Sequence, residues 1–164
     1  MALDGPFLQE LFEALGEKKA YSLCKQHDMA SICADNLERC GIPTSSVWAD
    51  QKRLVESTLS EYMLELDSIA GTFEANNIRV IALKNSGIAR GIYPFLASCP
   101  MGDVDVLVEK KNFLVAHKLL LTRGYEFKFR SHLETNELKT AFSNGGSEYC
   151  KKLASGKSLW LELQ

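Results

Sequence analysis

The chain has 164 residues, of which 46% are hydrophobic and 24% are charged, as in an ordinary soluble globular protein of about one domain. No run approaches eighteen apolar residues, which excludes a membrane span by hydropathy. The 19 basic and 21 acidic residues give a net charge of −2, which argues against extended nucleic-acid binding. The N-terminus lacks the basic-then-apolar layout of a signal peptide, so a cytoplasmic location is the default expectation.

The five cysteines are predicted to be reduced and mostly buried, because their number is odd and no pair has CxxC spacing. Cys24, Cys33 and Cys40 lie among helical residues, and a zinc site there is disfavoured. The three histidines do not form a spaced metal set either, and His117 is expected on the exposed or boundary side of its helix.

Residues 1–76 are predicted to form a helical region. "FLQELFEALG" has helical apolar spacing, and "KKAYSLCKQHDMA" and "SICADNLERCG" follow as short helices. A long helix is predicted over residues 47–75, with an apolar stripe that we interpret as a packing face rather than a binding groove. The stripe consists of Val55, Leu59, Tyr62, Met63, Leu66, Ile69, Ala70 and Phe73.

The spacing of the apolar residues changes after residue 76, and residues 77–164 predict an α+β fold with a mixed β-sheet. Strands are predicted in "IRVIALK", "DVDVLV" and "YEFKF", and helices in "SGIARGIY" and "KNFLVAHKLLLTRG". "SHLETNELKTAFSNGG" is ambiguous between a helical turn and a loop. "EYCKKLA" and "SLWLELQ" predict a hairpin with Ser155–Lys157 at its turn, and a strand that reaches Gln164 suggests a fragment of a longer protein.

Two carboxylates interrupt the apolar run "DVDVLV". Residues i and i+2 of a strand point to the same face, so Asp103 and Asp105 project side by side while Val104, Val106 and Val108 face a core. Like charges at this spacing repel, and a divalent cation such as Mg²⁺ or Mn²⁺ relieves that repulsion. An isolated pair of this kind can also merely end a loop, and for the two aspartates alone that is the more common outcome.

Two neighbouring segments favour the metal. The strand that ends at Lys84 leads into "NSGIARG", a small-residue turn that opens a helix and whose backbone N–H groups can hold a phosphate. In "SLWLELQ", Leu159, Leu161 and Leu163 are expected to face the core, which leaves Trp160 and Glu162 on the opposite face. A third carboxylate beside the aspartates would complete a two-metal site, and Trp160 could equally stack on a base or be covered by the helical region.

This order of elements resembles the nucleotidyltransferase superfamily that includes polymerase β. The segments "VIALKNSGIARGIYP", "CPMGDVDVLVEKKNFLVAHKLLLTRGYEF" and "SLWLELQ" are similar to a bacterial branch of poorly characterised nucleotidyltransferases. The resemblance covers residues 78–164, with "PMGDVDVLV" as its most specific part, and the helical N-terminal region is also typical of that branch. It implies a nucleotidyltransferase core at 77–164 behind a helical region at 1–76.

The resemblance also implies roles for single residues. Asp103, Asp105 and Glu162 would be catalytic and would hold Mg²⁺ or Mn²⁺, while the nucleotide would contact a second group of residues: Lys84, Asn85, Ser86 and Gly102. The implied reaction is metal-dependent transfer of NMP from an NTP such as ATP to an unidentified hydroxyl-bearing acceptor, with release of pyrophosphate.

Two positions depart from the family pattern. Asn85 stands where relatives usually carry glycine, and Cys99 stands where they usually carry arginine, with Arg90 and Lys84 as the candidates to replace that charge. A catalytically inactive member that serves as an interaction or regulatory module is therefore the alternative. A helical scaffold with a purely structural α+β half ranks last, and homo-oligomerisation is left open.

Overall fold

A computed structural model describes residues 5–93, 95–128 and 146–164 of the chain, apart from the side chain of residue 8. They fall into two compact units. The first contains the chain up to Leu59 and residues 94–100, and the second contains Ser60–Tyr93 and the chain from Met101 onwards. This division falls inside a helix, at a different position from residue 76, and the two predicted domains remain a prediction.

The first unit is helical. It contains α1 (Gly5–Leu15), α2 (Glu17–Gln26), α3 (Ala30–Arg39), the first half of α4 (Ser46–Ala75) and a 3₁₀ turn at Leu96–Ser98. Its core is formed by small and aromatic side chains: Ala20, Cys33, Ala34, Leu37 and Trp48. Glu17 organises the start of α4, since its carboxylate accepts the backbone N–H of Ser45 at 2.6 Å and the indole N–H of Trp48 at 3.1 Å.

The second unit contains the rest of α4 and the strands. Its elements are β1 (Val80–Ala82), α5 (Lys84–Ile88), β2 (Asp103–Val108), α6 (Phe113–Thr122), β3 (Glu126–Lys128), β4 (Ser147–Lys152) and β5 (Ser158–Leu163). The five strands form one sheet in the order β1-β2-β5-β4-β3. The pair β2–β5 is parallel and the other pairs are antiparallel, which confirms the predicted α+β fold with a mixed sheet and an N-terminal helical region.

The two faces of the sheet differ in character. One face is apolar and buried, and includes Val104, Val106, Leu159, Leu161 and Leu163, each at most 1% exposed. On the α4 side of this unit, the buried residues of the predicted stripe are Tyr62, Met63, Leu66, Ile69 and Phe73. The other face carries the alternate residues of each strand, including both aspartates of β2, and is partly open to solvent.

Most predicted elements agree closely with the structure, but the helix predicted over "SGIARGIY" already ends at Ile88. The long helix begins one residue earlier than predicted, and the hairpin β4–β5 turns through Gly156, whose φ of +83° suits glycine. Strand β1 is shorter than the predicted 78–84, because Lys84 adopts a φ of +48° and begins α5. The ambiguous stretch "SHLETNELKTAFSNGG" lies outside the described residues.

None of the helices in the described ranges combines the length and the apolar character that a bilayer crossing requires.

Candidate nucleotidyltransferase site

The centre of the site is strand β2. Asp103 and Asp105 lie on its partly open face, with Val104 and Val106 on the buried side. Their exposure differs: Asp103 is exposed, whereas only 2% of Asp105 is accessible. The alternation predicted from the sequence is therefore present, but the second carboxylate is largely removed from water.

The parallel neighbour β5 brings the third carboxylate to this face. Asp103 is paired with Trp160 and Asp105 is paired with Glu162 across the two strands. Directly opposite residues on one face of a sheet have neighbouring side chains, and the Glu162 carboxyl group is close enough to raise the pKa of Asp105. The pair comes from segments far apart in sequence, and strand pairing alone brings it together.

Lys84 bridges this carboxylate pair. Its Nζ donates to Oδ1 of Asp105 at 2.6 Å and to Oε2 of Glu162 at 3.3 Å. The backbone of Lys84 has positive φ, an uncommon conformation for a residue with a side chain, at the point where β1 turns into α5. This turn directs the lysine towards the acids from the β1 side of the sheet.

The local charges perturb the titration of the site. Burial raises the pKa of Asp105, and the hydrogen bond with Glu162 and the charge of Asp103 act in the same direction, outweighing the opposing effect of Lys84. The hydrogen bond to Asp105 raises the pKa of Lys84, which keeps the ammonium charged. The three carboxyl groups of Asp103, Asp105 and Glu162 thus carry more negative charge, when ionised, than the single Lys84 ammonium neutralises.

Ser86 fastens α5 to β2. Its hydroxyl oxygen accepts the backbone N–H of Asp105 at 2.9 Å, and the side chain is buried. Gly87 follows, and a Cβ added there would lie 2.5 Å from the carbonyl oxygen of Ala82, so only glycine allows this approach of α5 to β1. Ser86 therefore connects α5 to β2 through this hydrogen bond, and its contact with phosphate stays a prediction.

The remaining two predicted contacts are accessible. Asn85 is exposed on α5, and Gly102 is exposed immediately before β2. Gly102 also lines a cleft of about 370 Å³ on the partly open face of the sheet. The described lining of this cleft is Gly102, Asp103, Glu148, Trp160, Leu161 and Glu162.

Glu148 is a residue that the sequence reading missed. It lies on β4 directly opposite Glu162 and lines the same cleft. The segment "SEYCKK" gave the signal, because buried Ser147 and Tyr149 alternate with Glu148 and Cys150. What the sequence could not supply is the identity of the strand that pairs with β4.

A larger hollow of about 700 Å³ lies along the outer edge of β1 and is mostly apolar, with Ile78, Val80, Ile81 and Leu107 among its lining residues. It contains none of the three predicted catalytic acids. Two of those acids, Asp103 and Glu162, line the smaller cleft instead.

The carboxylates supply hard oxygen donors of the kind that Mg²⁺ and Mn²⁺ prefer. Within the described ranges, no three Asp, Glu, His or Cys side chains are grouped closely enough to hold one ion. Asp105 and Glu162 converge on the Lys84 ammonium, and Asp103 lies on the same face two residues along β2. The donor chemistry of these acids suits a divalent cation, but Asp105 and Glu162 face the Lys84 ammonium and do not form a three-carboxylate group with Asp103.

Other candidates from the sequence are engaged elsewhere. Arg90 forms a bidentate pair with Asp67, at 2.6 and 2.9 Å, and Cys99 is buried within the first unit. His117 is buried, contrary to the expectation that it lies on an exposed or boundary face, and its Nδ1 is 2.8 Å from the hydroxyl of Tyr149. In this environment burial lowers the pKa of His117.

The five cysteines are free thiols, as predicted. Only Cys33 and Cys99 are buried, so the expectation that most of the cysteines are buried was wrong. The Sγ atoms of Cys24 and Cys33 lie 3.5 Å apart, and burial raises the pKa of Cys33 to about 12.

The fold and the site define a class: an α+β protein with paired aspartates on one strand and a third acid on the parallel neighbour. Residues 13–163 match the model of a family described as uncharacterised nucleotidyltransferase, and the chain belongs to that family. Membership implies a nucleotide substrate. Neither a curated protein nor a solved structure matches the chain significantly.

Proposed function

We propose that the chain catalyses metal-dependent transfer of NMP from an NTP to a hydroxyl-bearing acceptor. The observation that carries the proposal is the pairing of Asp105 with Glu162 across β2 and β5, with Asp103 on the same face. Family membership supports the reaction class.

Asp103, Asp105 and Glu162 would hold Mg²⁺ or Mn²⁺. A divalent cation at these carboxylates supplies positive charge that neutralises the triphosphate and the developing negative charge at the reacting phosphorus. The raised pKa of Asp105 supports this role, since a group that resists ionisation alone becomes a good ligand when a cation compensates its charge.

The chain's own residues bind and orient the reactants. The Lys84 ammonium, once it leaves the carboxylates, neutralises phosphate oxygens on the β1 side, and exposed Asn85 lies at the same turn. Glu162 accepts the hydrogen bond of the attacking hydroxyl and takes its proton. The acceptor oxygen forms a bond to the α-phosphorus, the bond to the bridging oxygen breaks, and pyrophosphate leaves.

The first test is nucleotide binding. Isothermal titration with ATP, CTP, GTP and UTP compares Mg²⁺ with EDTA, and wild type with a variant that combines Asp103→Ala and Asp105→Ala. We expect Mg²⁺-dependent binding of at least one NTP and a loss of at least about tenfold in the variant, because charge-assisted contacts of this kind contribute about 1.5–3 kcal/mol each.

Glu126→Gln is the matched control. Glu126 is an exposed acid on strand β3, paired with Lys128 and absent from the described lining of the cleft. Its substitution should leave nucleotide affinity unchanged. Absence of Mg²⁺-dependent binding for all four nucleotides would falsify the proposal.

The position of Lys84 favours a second candidate, a family member that keeps the fold without turnover. Here an internal ammonium already bridges Asp105 and Glu162, which is the compensation that a metal would otherwise supply. Pyrophosphate release in a screen of acceptors separates the two candidates. Sustained release supports the enzyme, whereas nucleotide binding without release supports the inactive module.

A further inference from the structure

Two cysteine side chains meet in the helical first unit. Cys24 lies on α2 and Cys33 lies on α3, and their Sγ atoms are 3.5 Å apart. The Cys24 thiol donates a weak hydrogen bond to the Cys33 sulfur. A disulfide bond is about 2.05 Å long, so the two sulfurs must approach by about 1.5 Å to form one. Rotation of the two side chains is the motion that closes this gap.

The turn between α2 and α3 fixes the spacing of these two residues. The backbone N–H of Met29 donates to the Cys24 carbonyl oxygen at 2.7 Å, and the backbone N–H of Cys33 donates to the Met29 carbonyl oxygen at 2.9 Å. Asp28 has a φ of +55° in this turn, a conformation that aspartate tolerates better than most residues. Each cysteine is thus one backbone hydrogen bond away from Met29, and local structure keeps the pair together.

The two thiols differ in their access to solvent. Cys24 is partly exposed, whereas Cys33 is 8% exposed and belongs to the core cluster that contains Leu37 and Trp48. A reagent in solution therefore reaches the Cys24 sulfur first. Burial raises the pKa of Cys33, and the hydrogen bond and the charge of Cys24 act in the same direction. In the reduced chain Cys33 is therefore kept as a thiol behind the more accessible Cys24.

Thiol–disulfide exchange uses two such thiols in succession. Cys24 loses its proton to water, and its thiolate attacks one sulfur of a small-molecule disulfide. The sulfur–sulfur bond of the reagent breaks, and one half leaves and takes up a proton. Cys33 then loses its proton and attacks the Cys24 sulfur, and the second half of the reagent leaves as a thiol. The protein pair is oxidised by two electrons, and the reagent is reduced to two thiols.

The second step becomes easier once the first has taken place. In the mixed disulfide, Cys24 has neither a thiol hydrogen nor a charge, so two of the three effects that raise the pKa of Cys33 are removed and burial remains. The Cys33 sulfur also starts from a position beside the sulfur that it attacks. This proximity favours closure of the pair over attack by a thiol from solution.

We infer that Cys24 and Cys33 form a reversible dithiol–disulfide site, which reacts with low-molecular-weight disulfides such as oxidised glutathione and then links α2 to α3 covalently. The site lies within the first unit, whereas the acids of β2 and β5 belong to the second. The chemistry of the thiol pair uses none of those acids, so it holds whether or not the proposed nucleotidyl transfer does.

Peptide mapping tests this site, because trypsin separates all five cysteines. Cleavage after lysine and arginine places Cys24 in residues 20–25 and Cys33 in residues 26–39, and each of the other three cysteines falls in a further peptide of its own. The folded chain is incubated with oxidised glutathione, the remaining thiols are blocked with N-ethylmaleimide, and the peptides are identified by mass spectrometry without reduction. The same incubation in concentrated urea supplies the reference for the unfolded chain.

We expect the linked pair of peptides 20–25 and 26–39 to exceed any other disulfide product of the folded chain by about tenfold or more, because the effective concentration of a neighbouring thiol is high. Dithiothreitol should restore both thiols. In urea this preference should disappear, since Cys33 and Cys40 are then separated by an even shorter stretch of chain. Cys40→Ser removes an exposed thiol and is the matched control, which should leave the link between Cys24 and Cys33 unchanged.

Single substitutions test the order of the two steps. Cys33→Ser should stop at the mixed disulfide, with one glutathione on Cys24, and Cys24→Ser should leave the buried Cys33 unmodified. Cys33→Ala repeats the first test without a hydroxyl in the core, where an unpaired polar group costs stability.

Three results would overturn the inference. If the folded wild type keeps glutathione on Cys24 while Cys33 remains a thiol, the pair is only a packing contact. If Cys33 reacts readily in Cys24→Ser, burial does not set the order of attack. If the linked chain melts below the reduced chain, the link forms through local unfolding and not from the native pair, since a link that fits the native turn raises the melting temperature.

Discussion

Asp105 is buried and lies near another carboxyl group, and its ionisation therefore lowers the stability of the fold. The folded state raises its pKa, so the folded chain holds this proton more tightly than the unfolded chain does. Its contribution to stability is therefore present at acidic pH and is lost as the pH rises from the unfolded value of about 4 through the higher folded value. Such a group is retained for function more readily than for stability.

We predict that Asp105→Asn, measured in EDTA by urea denaturation across this pH range, gains stability relative to wild type as the pH rises. The amide cannot ionise, so it avoids the cost of a buried charge. Saturating Mg²⁺ should narrow the difference, because a bound cation stabilises only the wild-type carboxylate site. The opposite trend in EDTA would show that the Lys84 bridge outweighs burial.

Position 87 requires glycine because the backbone of Ala82 approaches it closely. An alanine Cβ at this position would lie 2.5 Å from the Ala82 carbonyl oxygen, and backbone atoms on both sides would have to move. We predict that Gly87→Ala lowers the free energy of unfolding by about 1–3 kcal/mol in chemical denaturation. Because α5 carries Ser86, the shift should also weaken nucleotide binding.

Gly71→Ala is the matched control for Gly87→Ala. Gly71 lies in α4, and nothing lies within 4 Å of its added Cβ. Alanine is the better helix former, so stability should rise by up to about 1 kcal/mol. An equal loss of unfolding free energy in both variants would mean that the requirement for glycine at position 87 comes from backbone freedom and not from the close approach to Ala82.

At the scale of the elements, the carboxylate of Glu65 connects α4 to the sheet. Glu65 accepts hydrogen bonds from Lys151 on β4 at 2.6 Å and from the Tyr125 hydroxyl at 3.2 Å, and it forms an ion pair with Arg123 at 3.5 Å. Burial alone would raise the pKa of Glu65, but the bond and charge of Lys151, followed by the charge of Arg123, hold it below its usual value. Helix α4, strand β4 and the connection between α6 and β3 thus depend on one ionised side chain.

We predict that Glu65→Gln lowers the free energy of unfolding by about 2 kcal/mol at neutral pH, because it leaves partly buried cations without their counterion. The wild-type contribution is present above the unfolded pKa of about 4.3 and is lost as the pH falls through the folded value. The cost should therefore shrink in acid. Glu109→Gln, at a more exposed pair with Arg79, should cost close to nothing.

The elements also show how far local pattern can be trusted. Alternation in "DVDVLV" and "SLWLELQ" predicted which residues share a face, because the period of a strand is fixed by its geometry. Helix α6 gave no such guidance, since "FLVAHKLLLT" is apolar almost all round, with Leu114, Val115 and Leu121 exposed. His117 was assigned to the wrong side for that reason.

At the scale of the whole molecule, the sequence predicted the fold class and named the three acids, but it could not predict strand partners. The parallel pairing of β2 with β5 depends on packing between distant segments, and no local signal encodes it. Glu148 was missed and the Lys84 bridge was unforeseen for the same reason. The roles of the three acids come from the family resemblance and stay predictions.

The pairing of β2 with β5 makes the site a product of folding, because an unfolded chain keeps Asp105 and Glu162 far apart. Whatever occupies the cleft therefore prefers the folded molecule and raises its melting temperature by mass action. A thermal-shift survey of nucleotides and divalent metals can thus rank ligands of the folded chain before any product has been detected.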